Sequence, residues 1–470
     1  MEKGSHLRNS IRWLYPGMRV KRWLLLAILG VILISIGVSL ILYTPSFRGI
    51  YVTWNRFVVL TLRSYWAAML VGILWLAGGA ALIVFGLQRM NRSVIDGIVP
   101  ALESDVATTI FRRRQLERGP NILAIGGGHG LHTLLHGLKK FTSNTTAVVT
   151  VFDDGGSSGR LRKDLGVLPP GDIRNCLIAL ADTEPLMGQL FQHRFENENE
   201  LKGHNFGNLF ITALTQVTGD FQKAIVESSK VLAVKGRVLP TTLQNVTLSA
   251  ECEDGTVVVG ESNIGHCGQK VKNLYLDPTP VLTTPDVLRA IREADLIVLG
   301  PGSLYTSVLC NLAVKDVREA LLSSDTPLVY VCNVTTQPGE TDHFSLSDHL
   351  DALFRFVPAE RVDYVLVNNE PPSPQLLGEL KKRGVSPVLG GKADLASPTR
   401  VLFEPLLDSA QPSRHDSDKL ARAIIQILLE EKPAWGFYFT LYTNEKVRRL
   451  RLNRIMGGNS KERKKVAGYP

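Results

Sequence analysis

The stretch richest in chemistry is VFDDGGSSGRLRKDLGVLPPGDIRNCL, Val151 to Leu177. Two adjacent aspartates, Asp153 and Asp154, follow an apolar run and precede Gly155-Gly156-Ser157-Ser158-Gly159. A carboxylate at a strand end accepts hydrogen bonds from a ribose diol or helps to hold a magnesium ion. The plainer role for either one is a cap on the turn that follows. Arg160, Arg162 and Lys163 then offer donors to a phosphate, or simply a solvated face. Asp172 of PPGDIRN stands at a helix start, where an N-cap is the simple reading.

Two glycine-rich loops add to this. Gly126-Gly127-Gly128-His129-Gly130 follows an apolar run and opens a helical pattern. Bare backbone N–H groups at such a point suit an anion. The loop lacks the third glycine of a dinucleotide fingerprint, because Leu131 stands there. Gly300-Pro301-Gly302-Ser303 reads as a phosphate nest between a strand and a helix. GHNFGN, residues 203–208, puts glycine and asparagine at a further helix entrance. His129, His132 and His136 share one helical face without a carboxylate at matching spacing, which does not indicate a metal site. The cysteines at 176, 252, 267, 310 and 332 form no CxxC pair and read as reduced thiols.

These loops need a scaffold. Continuous apolar runs at 121–125, 147–152, 296–299, 328–334 and 362–367 read as strands. Amphipathic patterns at 131–140, 173–181, 186–194, 208–217, 221–234 and 417–431 read as helices. Such alternation predicts an α/β fold, a Rossmann-like doubly wound parallel sheet covered on both faces. Residues 246–259 alternate and turn at Asp254-Gly255, which predicts a β-hairpin insertion.

The first hundred residues differ from the rest. Trp23–Tyr43 and Trp66–Leu87 are uncharged and long enough to cross ~30 Å of hydrocarbon. Basic residues cluster before the first and after the second, while the loop between holds only Arg48, Arg56 and Arg63. The positive-inside rule then predicts two transmembrane helices with a short external loop and the bulk of the chain in the cytoplasm. The predicted organisation is a basic N-terminus (1–22), the two spans (23–87), a linker (88–118), a nucleotide-binding domain (119–432) and a basic tail (433–470). The tail reads either as a partner for anionic lipid or as a solubilising end. The formal net charge is +9, yet the basic residues sit at the ends and the middle is acidic. That balance argues against nucleic acid as a partner.

Taken together, IGGGHG, DDGGSSGRLR, PPGDIRNCL, GHNFGNL, ADLIVLGPGSLYTS, CNVTTQPGET and RHDSDKLA resemble, in this order, the gluconeogenesis factor family (YvcK-like). That family looks like a branch of the 2-phospholactate transferase (CofD-like) superfamily. The resemblance covers about 119–432. It implies binding of a nucleotide sugar such as UDP-N-acetylglucosamine, and a regulatory role in cell shape, envelope precursor supply and growth on gluconeogenic carbon. The transferase relatives imply the alternative, transfer of a phospholactyl-type group from a nucleotide-activated donor with magnesium. A scaffold for cell-shape proteins with a structural nucleotide is the third reading, and a homo-oligomer is compatible with all three. By position, the resemblance assigns ligand binding to Gly126, Gly127, Gly128, Asp153, Asp154, Ser157, Asn205, Asn208, Gly302, Ser303 and Arg414, with Asp153 also the candidate for magnesium. The chain departs from the family pattern at His129, His132, Phe152 and Asn205, where Thr, Ser, Ala and Ser are expected.

Overall fold

The computed structural model describes residues 21–42, 65–98, 106–182, 185–196, 200–265, 269–389, 399–411 and 413–442. The expected basic N-terminus, the external loop and most of the basic tail lie outside them. The chain forms two compact units, Met1–Phe111 and Arg112–Pro470.

In the first unit, α1 (Lys21–Leu42) pairs with α2 (Tyr65–Ile98). A Cβ at Gly30 would lie 2.6 Å from the Gly79 carbonyl oxygen, and one at Gly37 2.7 Å from that of Gly72. One at Gly86 would lie 2.9 Å from the Trp23 carbonyl oxygen. The matching is antiparallel, and larger residues at these points would push the helices apart. Gly30, Gly37, Gly72, Gly79 and Gly86 are the only buried residues of the pair among those described. Large apolar side chains point outward instead, with Leu25 65% and Leu74 69% exposed. The segment Met69–Met90 is long and apolar enough to cross a membrane, whereas the apolar stretch of α1, Arg22–Val38, is shorter. The expectation of two full-length spans is thus met by one helix on length.

The second unit is built on a seven-stranded parallel sheet. Its strands are β1 (Ile122–Gly126), β2 (Thr145–Val149), β3 (Arg237–Pro240), β7 (Leu296–Leu299), β8 (Leu328–Val331), β9 (Tyr364–Asn368) and β10 (Arg400–Glu404). Their order is β10-β9-β8-β7-β1-β2-β3. Strands β1, β2, β7, β8 and β9 are buried along their whole length, as helices on both faces require. The edge strands β3 and β10 each begin with an exposed arginine and escape a reading based on continuous apolar runs. The chain winds from β1 outward through β2 and β3, then returns to β7 on the other side of β1. The switch point therefore lies between β1 and β7, where open sheets of this kind bind ligands.

The expected hairpin is a three-stranded antiparallel sheet, β5-β4-β6, of β4 (Thr247–Cys252), β5 (Val257–Val259) and β6 (Val271–Asp277). Lys272 and Asn273 interrupt the alternation of β6, which conceals it in the sequence. Cys252 is disulfide-bonded rather than a free thiol, while Cys176, Cys310 and Cys332 are free and buried.

The helices that matter for the site are α3 (Val106–Glu117), α4 (Gly128–Leu138), α5 (Gly156–Leu165), α6 (Gly171–Leu180), α7 (Phe206–Thr218), α8 (Ser417–Glu431) and α9 (Ala434–Tyr442). α8 is capped by Asp416, whose carboxylate accepts the Asp418 and Lys419 N–H groups. Packing continues past residue 432, because Phe439 of α9 is 2% exposed and meets Phe141 edge to face.

Candidate functional site

The two glycine loops leave the adjacent ends of β1 and β7 and touch backbone to backbone. A Cβ at Gly130 would lie 2.5 Å from the Pro301 carbonyl oxygen, and one at Gly302 3.2 Å from that of Gly127. α4 starts directly at Gly128, whose φ of +63° lies in the left-handed region that glycine tolerates. The start of this helix already has an anion. Asp172 is not the N-cap of α6, a position held by Pro170 without a side-chain bond. Its carboxylate instead accepts the Gly128 N–H. Its Oδ2 would stand 2.4 Å from a Cβ at Gly127, so only glycine there admits it.

The second loop is held from behind by residues 333–340. Asn333 accepts the Gly302 N–H (3.3 Å) and donates to its carbonyl (2.8 Å). Ser303 Oγ donates to Gln337 Oε1 (2.6 Å). Glu340, buried, accepts the N–H groups of Tyr305 (2.7 Å) and Thr306 (3.0 Å) at the head of a π-helical turn, Leu304–Leu309. π-turns mark functional positions often enough to be informative here. Gly302 and Ser303 are thus fixed in place, with the amide of Gly302 already paired.

The aspartate pair divides. Asp153 Oδ1 accepts the Gly155 N–H (2.9 Å), which shapes the entry to α5. Asp154 Oδ1 accepts the Ser262 N–H (2.9 Å) and ties the loop after β2 to the short helix Glu261–Ile264 that follows β5. Gly260 (φ +97°) makes this possible, since a Cβ there would lie 2.4 Å from Asp154 Oδ2. Gly155–Gly159 is the head of α5, not a free turn. Arg160, expected as a donor to a phosphate or a solvated residue, donates to the Lys202 carbonyl. Arg162 is the cation whose field the two carboxylates share, and it is spent on Asn245 Oδ1 (2.8 Å) and the Val246 carbonyl (2.7 Å).

Desolvation and mutual repulsion raise several carboxyls above their ordinary range. Burial and the nearby Asp153 push Asp172 up to about 6, although part of the residue stays exposed. Burial, then Asp153 and Asp172, push Glu261 up to about 8. Burial pushes Glu340 up to about 6 and also raises Asp153. Among the described residues no three His, Cys, Asp or Glu side chains are grouped to hold a metal ion.

Ser157, Asn205 and Asn208 come together, but inward. Ser157 Oγ accepts from Asn208 Nδ2 (3.1 Å) and the Asn205 N–H (3.3 Å), and pairs with His204 Nδ1 at 3.2 Å. This is a Ser–His contact, yet the serine is 4% exposed and its oxygen is fully engaged. Asn205 caps α7 through Asn208 N–H. Arg174 donates to Asn208 Oδ1 (2.9 Å) while its buried Nε has no hydrogen-bond partner. Burial, then Arg194, lowers it to about 10, with Asp172 and Asp153 opposing. Arg414 is exposed, and its positive field reaches His129 and His132. His132 Nδ1 lies 2.9 Å from the Asn175 carbonyl, a packing role.

Glu261, Asp172 as an acceptor for the glycine loop, and the Asn333–Gln337–Glu340 brace were not assigned from sequence. Glu261 sits in an ordinary GES segment and offered no signal. Asn333, Gln337 and Glu340 all fall in CNVTTQPGET, and their shared loop after a strand was the available clue.

A family profile described as 2-phospho-L-lactate transferase CofD matches residues 122–404. The Bacillus subtilis gluconeogenesis factor is 46% identical over 313 residues, covering 66% of this chain and 99% of its own. The Halalkalibacterium halodurans gluconeogenesis factor is 47% identical over 308 residues, covering 65% of this chain and 96% of its own. A Nostoc sp. relative that carries the same designation provisionally is 43% identical over 441 residues, covering 90% of this chain and 93% of its own. So wide a match reaches into the N-terminal unit. A crystal structure of a Bacillus halodurans protein, 47% identical, superposes with a TM-score of 0.63 over 66% of this chain and 99% of that one.

Proposed function

This chain belongs to the CofD family, in its gluconeogenesis-factor branch, and on that premise we propose that it is a membrane-tethered regulator that binds a nucleotide sugar. One observation carries the binding half: the two glycine loops meet at the switch point beside the carboxyls of Asp153, Asp172 and Glu261. In this reading the carboxyls accept ribose and sugar hydroxyls. The diphosphate lies toward His129, Gly130 and the exposed Arg414, because Asp172 already occupies the Gly128 amide. A magnesium ion arriving on the diphosphate needs only one or two protein carboxylates, and Asp153 supplies one. Gly126, Gly127 and Gly302 shape the floor. Ser157, Asn205 and Asn208 hold it from beneath.

The test is calorimetry with a uridine diphosphate sugar. Asp153→Asn keeps an acceptor for the Gly155 N–H and removes the charge. Binding is expected to weaken by about 1.5–3 kcal/mol, the range for a charged hydrogen bond. Unchanged affinity with a lowered melting temperature would make Asp153 a turn cap only.

The tether half is supported by the hairpin. Glycines inside and leucines outside suit lipid, where close packing rather than apolar burial joins helices. A carbonate wash that releases the full chain from membranes removes this part of the proposal.

Transfer chemistry is the second reading, favoured by Glu261. A carboxyl held near 8 keeps its proton at neutral pH and suits general acid catalysis. Release of free nucleotide from an activated phospholactyl donor, lost in Glu261→Gln, would establish it.

A further inference from the structure

We infer that the end of the hairpin where Arg22 and Arg89 meet Trp23 binds the phosphate of an anionic lipid headgroup. The inference rests on the tether reading above. α1 and α2 approach closely at this end because Gly86 leaves room for the Trp23 carbonyl. Trp23 and Phe85 then meet edge to face with centroids 5.9 Å apart. The Arg22 guanidinium carbon lies 5.2 Å from the Trp23 centroid. That of Arg89 lies 5.8 Å from the same centroid and 5.3 Å from that of Phe85. Each helix thus delivers one guanidinium to a single aromatic pair.

The hairpin's own sequence provides no counter-charge. From Lys3 to Ile95 the sequence contains no aspartate or glutamate. Two cations share one ring at the mouth of an apolar hairpin, and their mutual repulsion is not offset by an acidic neighbour in that sequence. An anion between them removes that cost. Tryptophan prefers the headgroup level of a bilayer, which sets the cations at the depth of lipid phosphates. Guanidinium groups also offer the forked donors that phosphate accepts. The aromatic contacts hold both forks in place before the lipid arrives, so little side-chain freedom is lost on binding. The matching partner is a phospholipid with a net negative headgroup.

The experiment uses the full chain, reconstituted into vesicles of equal parts phosphatidylcholine and phosphatidylglycerol and re-purified in mild detergent. Lipid that stays with the protein is quantified. Phosphatidylglycerol is expected to be enriched severalfold over the input, and Arg22→Gln with Arg89→Gln to return the ratio to the input. Arg22→Lys with Arg89→Lys is expected to keep part of the enrichment. No enrichment in the natural sequence, or enrichment that survives the double glutamine change, overturns the inference. Should the double variant not accumulate, each single change is expected to lose part of the enrichment, and no loss in either overturns it too. A chain that leaves the membrane in carbonate sinks the tether itself, whereas a retained chain without lipid preference sinks only this site.

Discussion

Asp153 and Asp154 are chemically identical neighbours that serve different partners. Asp154 joins the loop after β2 to the helical turn Glu261–Ile264 through the Ser262 N–H, so Asp154→Ala should loosen that turn. A loss of about 0.5–1.5 kcal/mol in chemical denaturation is expected, the net worth of one hydrogen bond whose donor water can reach; a loss near zero would show that water replaces the carboxylate. Glu261 gives a pH signature. Its folded-state value of about 8 lies above the ordinary carboxyl range, so the folded chain holds this proton more tightly than the unfolded one. The glutamate therefore lowers stability progressively as pH rises from the ordinary range through about 8, and no further above it. Glu261→Gln should match the natural melting temperature near pH 4.5 and exceed it increasingly up to about pH 8. A difference that stays constant with pH would contradict the assignment.

At the scale of elements, the hairpin and the switch point make separate demands. In the hairpin, glycine spacing fixes helix pairing. Gly79→Leu, whose Cβ would stand 2.6 Å from the Gly30 carbonyl oxygen, should part α1 from α2 and lower the melting temperature of the full chain in detergent. Gly78→Leu, at a glycine with open space beside it, is the control, and equal melting of the two variants would mean the helices pair by other contacts. In the body, elements whose period was clean were legible from sequence. β7 and α8 fall where the apolar runs place them. The glycine loops were legible as loops, and the tertiary pairing between them followed from strand ends. Side-chain partnership was not. Asp172 looked like a cap, yet its partner, Gly128, comes from another loop. Ser157, Asn205 and Asn208 looked like ligand contacts but satisfy one another in the interior. Motif resemblance marks such positions without saying which way they face.

For the whole molecule, the two units can be tested apart. The body from Arg112 to Tyr442 contains the complete parallel sheet and the α9 contact of Phe439. Expressed alone it should stay in detergent-free buffer and melt in one cooperative transition, and aggregation of that fragment would show that the hairpin is part of its fold. The Bacillus subtilis relative, which spans 66% of this chain, fits a body that suffices alone. The Nostoc relative shows that the longer form is not peculiar to this chain.

The position of β1 in the sheet also sets an order in time. β1 is the first strand of the body to leave the ribosome, and β2 follows within 20 residues, but its other neighbour, β7, begins only at Leu296. At ~5–20 residues per second, that strand edge waits on the order of 10–30 s for its partner. During that interval the N-terminal hairpin has long been synthesised, while the floor between the glycine loops does not yet exist. Nascent chains should therefore expose a sticky strand edge for seconds, and the cleft between the glycine loops should be among the last features to form.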